Sequence, residues 1–288
     1  MAKLASFNDL TKVHEEIMNK GYCFSTAGIL KIGIKSQNYS FKSKAIEKSN
    51  ESMIGSFSAN LKYQIAMLTH KRTTERFSQY SLDIDLDKFV NGLTFKADCK
   101  IWRTLENKID PKIELAYSFK NLINTSINLG TETGILTTSL TIGSKNIGLG
   151  FESSLNCVSH FIEKPIFGVW INNSQANLVG KYKLGKFDRG ILSIFYYQQL
   201  ANHAKFFFNT ATDFKKNSSK VVVGGIYQPD DATTIKGKYE SSGVVAISFS
   251  RYLNQYLKAT IATQLNLQSI ISQSNTQNKV GFRFDFDS

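Results

Sequence analysis

Lysines recur at alternate positions in several short segments of this 288-residue chain. Lys31 and Lys35 fall two residues either side of Gly33 in "ILKIGIK", and Lys96 and Lys100 bracket Asp98 in "GLTFKADCKIW". Lys112 and Lys120 occupy the polar phase of "KIELAYSFK", Lys236 and Lys238 that of "TTIKGKYE", and Lys181, Lys183 and Lys258 follow the same rule. No catalytic motif accompanies them, so their chemistry reads as electrostatic: a row of cations beside water raises the local concentration of anions. The usual catalytic signatures are missing. There is no GxSxG, no HExxH and no glycine-rich phosphate loop. His14, His70, His160 and His203 are scattered without metal-ligand spacing. Asp83 and Asp85 alternate on one strand face and read as a wet surface. The expectation is a protein that is not an enzyme and needs no metal or cofactor.

The composition sets the frame for those lysines. Hydrophobic residues make up 42% and charged residues 20%, which excludes a disordered chain. The net charge of +12 and pI near 9.4 attract anions of any kind, whether nucleic acid, acidic lipid heads or small phosphates. Cys23, Cys99 and Cys157 are too few and too far apart for a disulfide framework, and no CxxC pair suggests zinc. The three prolines are widely spaced and no linker divides the chain, so residues 1–288 read as one domain. The N-terminus has neither the apolar core of a secretory signal nor the arginines of a matrix-targeting presequence. No run of 18 apolar residues predicts a membrane helix, but barrel strands need only about 9–11 residues and show alternation instead.

Two kinds of element must position the lysines. In "SFNDLTKVHEEIMNK", residues 6–20, Phe7, Leu10, Val13, Ile17 and Met18 recur in steps of three and four and predict an amphipathic helix. Ser6 with Asp9 resembles a capping box, and Gly21 suits a C-cap. After Gly21 the period becomes two, over residues 27–287. Leu30, Ile32 and Ile34 oppose the first lysines; Leu93, Phe95, Ala97, Cys99 and Ile101 oppose Lys96 and Lys100; Leu257, Ala259, Ile261 and Leu265 oppose Lys258. Short polar breaks separate the segments, which predicts an up-and-down meander. A soluble sandwich would bury the apolar face against a second sheet. A membrane barrel would turn it to lipid and keep the lysines in a lumen. The length of the unbroken meander, its polar face rich in Thr, Ser, Gln and Asn, and the removal of open edges favour the barrel. Trp102, Trp170 and Tyr252 would then suit interfacial girdles.

The chain closes on "KVGFRFDFDS", where Val280, Phe282, Phe284 and Phe286 alternate with Lys279, Gly281, Arg283 and Asp285. By pattern alone this is an amphipathic last strand.

"DLTKVHEEIMNKGYCFSTAGILKIGIKSQ" resembles the N-terminal region of the mitochondrial porins, the voltage-dependent anion channels. The shared positions are Asp9, Leu10, Lys12, Lys20, Gly21, Tyr22 and Phe24, then Lys31 and Lys35. "VVVGGIYQPDDATTIKGKYESSGVVAISFSR" resembles that family's late strands, including a turn at Tyr227 to Asp230. The resemblance implies an all-β transmembrane barrel of about 19 strands in the mitochondrial outer membrane, with the N-terminal helix inside the lumen. An odd number of up-and-down strands requires the first and last to run parallel. The implied function is passive diffusion of nucleotides, phosphate and small ions through a voltage-dependent, anion-selective pore. Its implied anion contacts include Lys12, Lys20, Lys31, Lys35, Lys96 and Lys100, with a hinge at Gly21. Lys279, Gly281, Phe284 and Phe286 match the pattern by which the outer-membrane sorting machinery recognises barrels. The implied partners are membrane lipids, anionic metabolites and that machinery, with a homo-oligomer or larger assembly open and no nucleic acid. A docking subunit of a larger membrane assembly and a protein-import pore of the same superfamily are the alternatives. Two departures stand out. Gly92-Leu93-Thr94 replaces the family's Gly-Leu-Lys nucleotide contact, with Lys96 as a substitute on the same face. Cys23 and Ser25 replace hinge glycines, which predicts a stiffer hinge.

Overall fold

The computed structural model describes residues 7, 10, 17–19, 22, 26–48, 53–73, 77–87, 89–102, 108–120, 122–163, 165–185, 190–267 and 278–287. Among these residues, twenty strands share one sheet. The first ten are β1 (Thr26–Lys35), β2 (Tyr39–Lys48), β3 (Met53–Tyr63), β4 (Ala66–Thr73), β5 (Phe77–Asp85), β6 (Leu93–Trp102), β7 (Lys108–Phe119), β8 (Ile123–Gly130), β9 (Ile135–Gly143) and β10 (Ile147–Asn156). The rest are β11 (Phe161–Ile162), β12 (Ile166–Asn172), β13 (Ala176–Lys183), β14 (Ile191–Ala201), β15 (Ala204–Asp213), β16 (Ser218–Tyr227), β17 (Thr233–Glu240), β18 (Val244–Tyr252), β19 (Leu257–Asn266) and β20 (Lys279–Asp287). β11 is a two-residue hook on the end of β10, and β10 continues the wall by pairing with β12. The other nineteen strands form a closed barrel.

Closure follows from lipid, which offers backbone groups no partner, so every strand must pair on both sides. Neighbours are antiparallel all round the wall except where β1 meets β20, which pair in parallel with Leu30 opposite Phe284 and Ile32 opposite Phe286. An odd number of alternating strands makes that seam unavoidable, as the sequence predicts. Leu30, Ile32 and Ile34 stand exposed on the outer face beside Phe282, Phe284 and Phe286. No helix among the described residues is long and apolar enough to cross a membrane; the strands do the crossing. One rim carries the turns β1–β2, β3–β4 and β16–β17; the opposite rim carries the start of β1 and the end of β4. The β3–β4 turn is tight, with Gln64 at φ 45°, the left-handed geometry that two-residue hairpins require. Cys99 and Cys157 are free thiols.

Candidate functional site: the barrel lumen

Two arcs of the lumenal wall contrast, with β8–β10, lined by small polar residues such as Ser126, Ser139 and Thr141, between them. Along β12–β16 the inward phase is largely apolar: Trp170 is 4% exposed, Val179 1%, Phe207 2%, Val222 6% and Ile226 8%. These strands therefore carry apolar patches on both faces, and the buried inner patches require something to cover them. The N-terminal segment does. Phe7 and Leu10 pack on Trp170 and Val179, with Ile166 and Phe195 beside them. Met18, flanked by Ile17, packs on Phe207, Val222 and Ile226, and Phe195 touches this cluster too. Burying one such side chain is worth about 1.5–3 kcal/mol.

The seat of Phe7 is built by two missing side chains. Gly150 on β10 and Gly168 on β12 are directly paired. A Cβ on Gly150 would stand 2.4 Å from the Phe7 ring, and one on Gly168 2.8 Å from it. Both distances are inside contact, so the ring fits only over glycine. Lys181 Nζ donates to the Phe7 carbonyl at 3.4 Å and lies 4.8 Å from the ring centroid, a cation–π contact. Further along, Lys238 Nζ lies 5.0 Å above the Tyr22 ring. The described residues of the segment thus line the lumen with their apolar side to the wall. Lys12, Lys20 and Gly21, and most of the helix expected over residues 6–20, lie outside the described residues.

The other arc, β1–β7 with β17–β20, carries charge. At the seam one transverse row runs Lys258, Asp285, Lys31, Lys44 across four neighbouring strands. Asp285 accepts from Arg283 Nε at 2.9 Å and lies 3.8 Å from Lys31 Nζ. Lys44 is within electrostatic reach of Arg283, Lys71 and Asp285, so Lys31, Lys44 and Arg283 all lie around one carboxylate. Across β5–β7 the rows are mixed: Asp83, Lys96, Glu114; then Ser81, Asp98, Lys112; then Gln79, Lys100, Asp110. Gln79 and the Ser81 hydroxyl both donate to Asp98, and Lys112 Nζ lies 3.8 Å from Asp110. Glu240 bridges Lys220 at 3.0 Å and Lys238 at 3.3 Å. Wet ion pairs of this kind add about 0–1 kcal/mol each to stability; their importance is to the field along the pore.

Lys31, Lys35, Lys96 and Lys100 all fall on the lumenal phase, as do Lys181, Lys183, Lys236, Lys238 and Lys258. Lys96 shares a recess of about 460 Å³ with Lys62, Asp83, Asp85 and Asp87, where acids offset its charge. Thr94, at the expected nucleotide-contact position, also points inward beside Asp85 and reaches the Ala116 carbonyl at 3.5 Å. In β20, Lys279 and Gly281 face the lumen and Phe284 and Phe286 the outside.

Some expectations fail. Lys120 does not continue the lumenal row: the chain turns there with φ 46°, and its Nζ sits 5.2 Å from the Phe119 ring. Nor does Trp170 belong to an interfacial girdle. It is buried in the lumen under Phe7 and Leu10, its indole N–H donating to the Ser144 carbonyl at 3.3 Å. Trp102 is likewise inward in phase, against Phe77 at 4.6 Å, and Tyr252 lies under Lys258. Position near a strand end does not tell which face a ring occupies. Sequence reading also overlooked Lys42, Lys44, Lys62 and Lys71, although "SFKSKAIEK" carries the same alternation. It overlooked the two-faced apolar strands "ILSIFYYQQL" and "KVVVGGIY", whose inner apolar phase is the signal for a covering segment.

Outside the membrane-spanning strands, Asp230 organises the β16–β17 turn. Its carboxylate accepts from the Thr233 hydroxyl at 3.1 Å and from the Ala232 and Thr233 amides. The Thr233 hydroxyl, followed by those amides, holds the Asp230 carboxyl below the usual carboxylate range.

The shape has solved counterparts. Two mutants of the Rh. blastica porin superpose with TM-scores of 0.51 and 0.52 at 12% and 14% identity, covering 76% and 90% of this chain and 90% and 100% of theirs. At that identity the likeness is one of fold. Curated relatives are nearer in sequence. A turkey (Meleagris gallopavo) protein named non-selective voltage-gated ion channel VDAC2 is 23% identical over 94% of this chain and 90% of its own. A Caenorhabditis elegans probable voltage-dependent anion-selective channel is 24% identical over 98% of each, and an Arabidopsis thaliana mitochondrial outer membrane protein porin 4 is 23% identical over 93% and 94%. The family model described as eukaryotic porin matches residues 4–281, so with its closed barrel, parallel seam and lumenal N-terminal segment this chain belongs to the eukaryotic porin family.

Proposed function

We propose that this chain is a voltage-dependent, anion-selective channel of the mitochondrial outer membrane. It passes nucleotides, phosphate and small ions by passive diffusion and catalyses nothing. The observation that carries the reading is the seam row, where Lys31, Lys44 and Lys258 flank Asp285 and Arg283 in a wet lumen. A wide pore selects by the field of such rows and leaves ions hydrated. Lys35, Lys96 and Lys100 extend the path, with Lys96 the weakest because acids share its recess. Lys12 and Lys20 add contacts from the N-terminal segment, and Gly21 is its hinge. Lys279, Gly281, Phe284 and Phe286 present the closing strand to the sorting machinery.

Planar-bilayer recording tests this. Under a KCl gradient the reversal potential should carry the sign of anion preference, and conductance should fall at high voltage of either sign. A cation-preferring or silent barrel would overturn the proposal and favour a docking subunit instead.

A further inference from the structure

The outer face of β4 departs from the rule that governs its neighbours. Leu68 points to lipid, as its partners Leu61 and Leu82 do. Two and four residues later, on the same face, come His70 and Arg72. Arg72 is exposed opposite Phe57, whose ring stacks on Phe41 with centroids 6.1 Å apart. His70 stacks on Tyr80 at 4.7 Å with an interplanar angle of 14°, and its Nε2 is buried with no hydrogen-bond partner among the described residues.

A charged group on the lipid side costs about 2–4 kcal/mol at mid-membrane and far less near the headgroups. Arg72 is the penultimate residue of β4, so it reaches the rim opposite the β1–β2 turn. His70 lies two residues, about 7 Å, deeper along the strand. Among the described residues no carboxylate pairs with Arg72. The outward arginine at the other rim differs, since Arg251 has Asp230 close enough to influence its carboxyl. The outer face around β4 therefore presents a guanidinium without a counter-ion among the described residues, a polar aromatic step below it and an aromatic ridge beside it.

We propose that this face binds one anionic phospholipid, with Arg72 holding the phosphate. The planar guanidinium fork matches phosphate oxygens. Tyr80 and His70 meet the glycerol region, and the acyl chains lie along Phe41, Phe57 and Leu61. An acidic segment of a second copy would also answer the charge, but the site faces the acyl and headgroup region, where lipid is the ligand already present at high concentration. Negative headgroups draw basic side chains with about 1 kcal/mol per cation, which corresponds to about fivefold in affinity.

The full-length protein should be reconstituted in phosphatidylcholine vesicles containing a minority of phosphatidylglycerol, then extracted for native mass spectrometry. The expected result is retained phosphatidylglycerol at one equivalent. R72Q should lower retention about fivefold, R72K, which keeps the charge but loses the fork, should fall between R72Q and the unsubstituted protein, and R251Q should leave it unchanged. Equal retention by R72Q and the unsubstituted protein overturns the proposal. So does cross-linking of two copies through position 80 that persists without anionic lipid. A second measurement needs no change at Arg72. In Tyr80→Trp, brominated phosphatidylglycerol should quench the new indole more than brominated phosphatidylcholine at equal mole fraction, and equal quenching overturns the assignment. Channel selectivity reads the lumen and would stand or fall separately.

Discussion

The two arcs of the lumen are made of the same kind of strand and do opposite work. Strands β12–β16 carry apolar patches inside as well as out, and these patches hold the N-terminal segment through Phe7, Leu10 and Met18. Strands β17–β20 and β1–β7 are mostly apolar outside, and most of them carry charge inside. One side of the pore is a packed core, braced from within. Among the described residues the other has no comparable apolar packing inside, and its cohesion rests chiefly on backbone pairing and the outer apolar band. If the proposed function holds, stability and selectivity fall to different strands, and substitutions should sort accordingly.

The largest effect is expected at the seam, the least braced part of the charged arc. Parallel pairing is somewhat weaker per residue than antiparallel, and β20 has only Val280, Phe282, Phe284 and Phe286 on its lipid side. Phe284→Asp with Phe286→Asp would place two carboxylates on that face, each costing on the order of 1–3 kcal/mol besides the lost apolar contact. We expect no carbonate-resistant protein after import into isolated mitochondria and no barrel after refolding in detergent. The matched pair on the braced arc, Phe167→Asp with Val169→Asp, should lower the refolding yield without abolishing it. Refolding omits the sorting machinery, so failure there isolates the seam from the proposed signal. Equal tolerance of both pairs would mean that the inner packing braces nothing.

The next test evicts Phe7. Valine at both Gly150 and Gly168 fills its seat, since even a Cβ at those positions falls within 2.8 Å of the ring. Losing about 2 kcal/mol of burial corresponds to roughly 30-fold in the balance between docked and undocked segment. With native cysteines removed, a water-soluble thiol reagent should label Leu10→Cys more than tenfold faster in the glycine-filled protein. Unchanged labelling would show that the seat does not hold the segment.

The wall was legible in the sequence because lipid imposes its demand on every strand separately. Leu30, Ile32 and Ile34 announce their face within seven residues, and the parallel seam follows from parity once the strand number is odd. The seat of Phe7 was not legible, because it depends on Gly150 and Gly168 being opposite one another across two strands. No local window contains that pairing. Trp170 was misassigned for the same reason: its face is set by the register of β12 with β10, whereas an indole near a strand end suits either side. Lys120 failed because period two was carried one residue past the end of β7.

Charge reversal should act on the other arc and leave the packed one alone. One unit charge at about 10 Å in water is worth roughly 0.4 kcal/mol before screening. Lys31→Glu with Lys44→Glu changes the seam row by four units. After salt screening this amounts to a severalfold change in the local anion-to-cation ratio, enough to move the reversal potential toward cations. Lys96→Glu should do less, because Asp83, Asp85 and Asp87 already share its recess. Labelling of Leu10→Cys should stay slow in all of these proteins. A larger response from Lys96 than from the seam pair would place the selective field in the β3–β6 recess instead.

The smallest effect is expected where the two arcs join. The β16–β17 turn links the last braced strand to the first charged one of the late arc, and Asp230 fastens it by accepting from the Thr233 hydroxyl and from the Ala232 and Thr233 amides. Its folded-state pKa is depressed, chiefly by the Thr233 hydroxyl. A depressed carboxyl contributes stability that is fully present above its unfolded value, near 3.9, and is lost as pH falls through the lower folded value. The turn should therefore stay fastened at neutral pH and loosen only in the acid range below about 4. Amide hydrogen exchange at Ala232 and Thr233, corrected for intrinsic rates, should show protection falling over that range. Asp230→Asn should start from weaker protection and remain flat across it. The seam row and the Phe7 seat contain no group of this turn, so their readouts should not follow the same titration. If Asp230→Asn and the unsubstituted protein traced the same curve, the carboxylate would not be what joins the arcs at this rim.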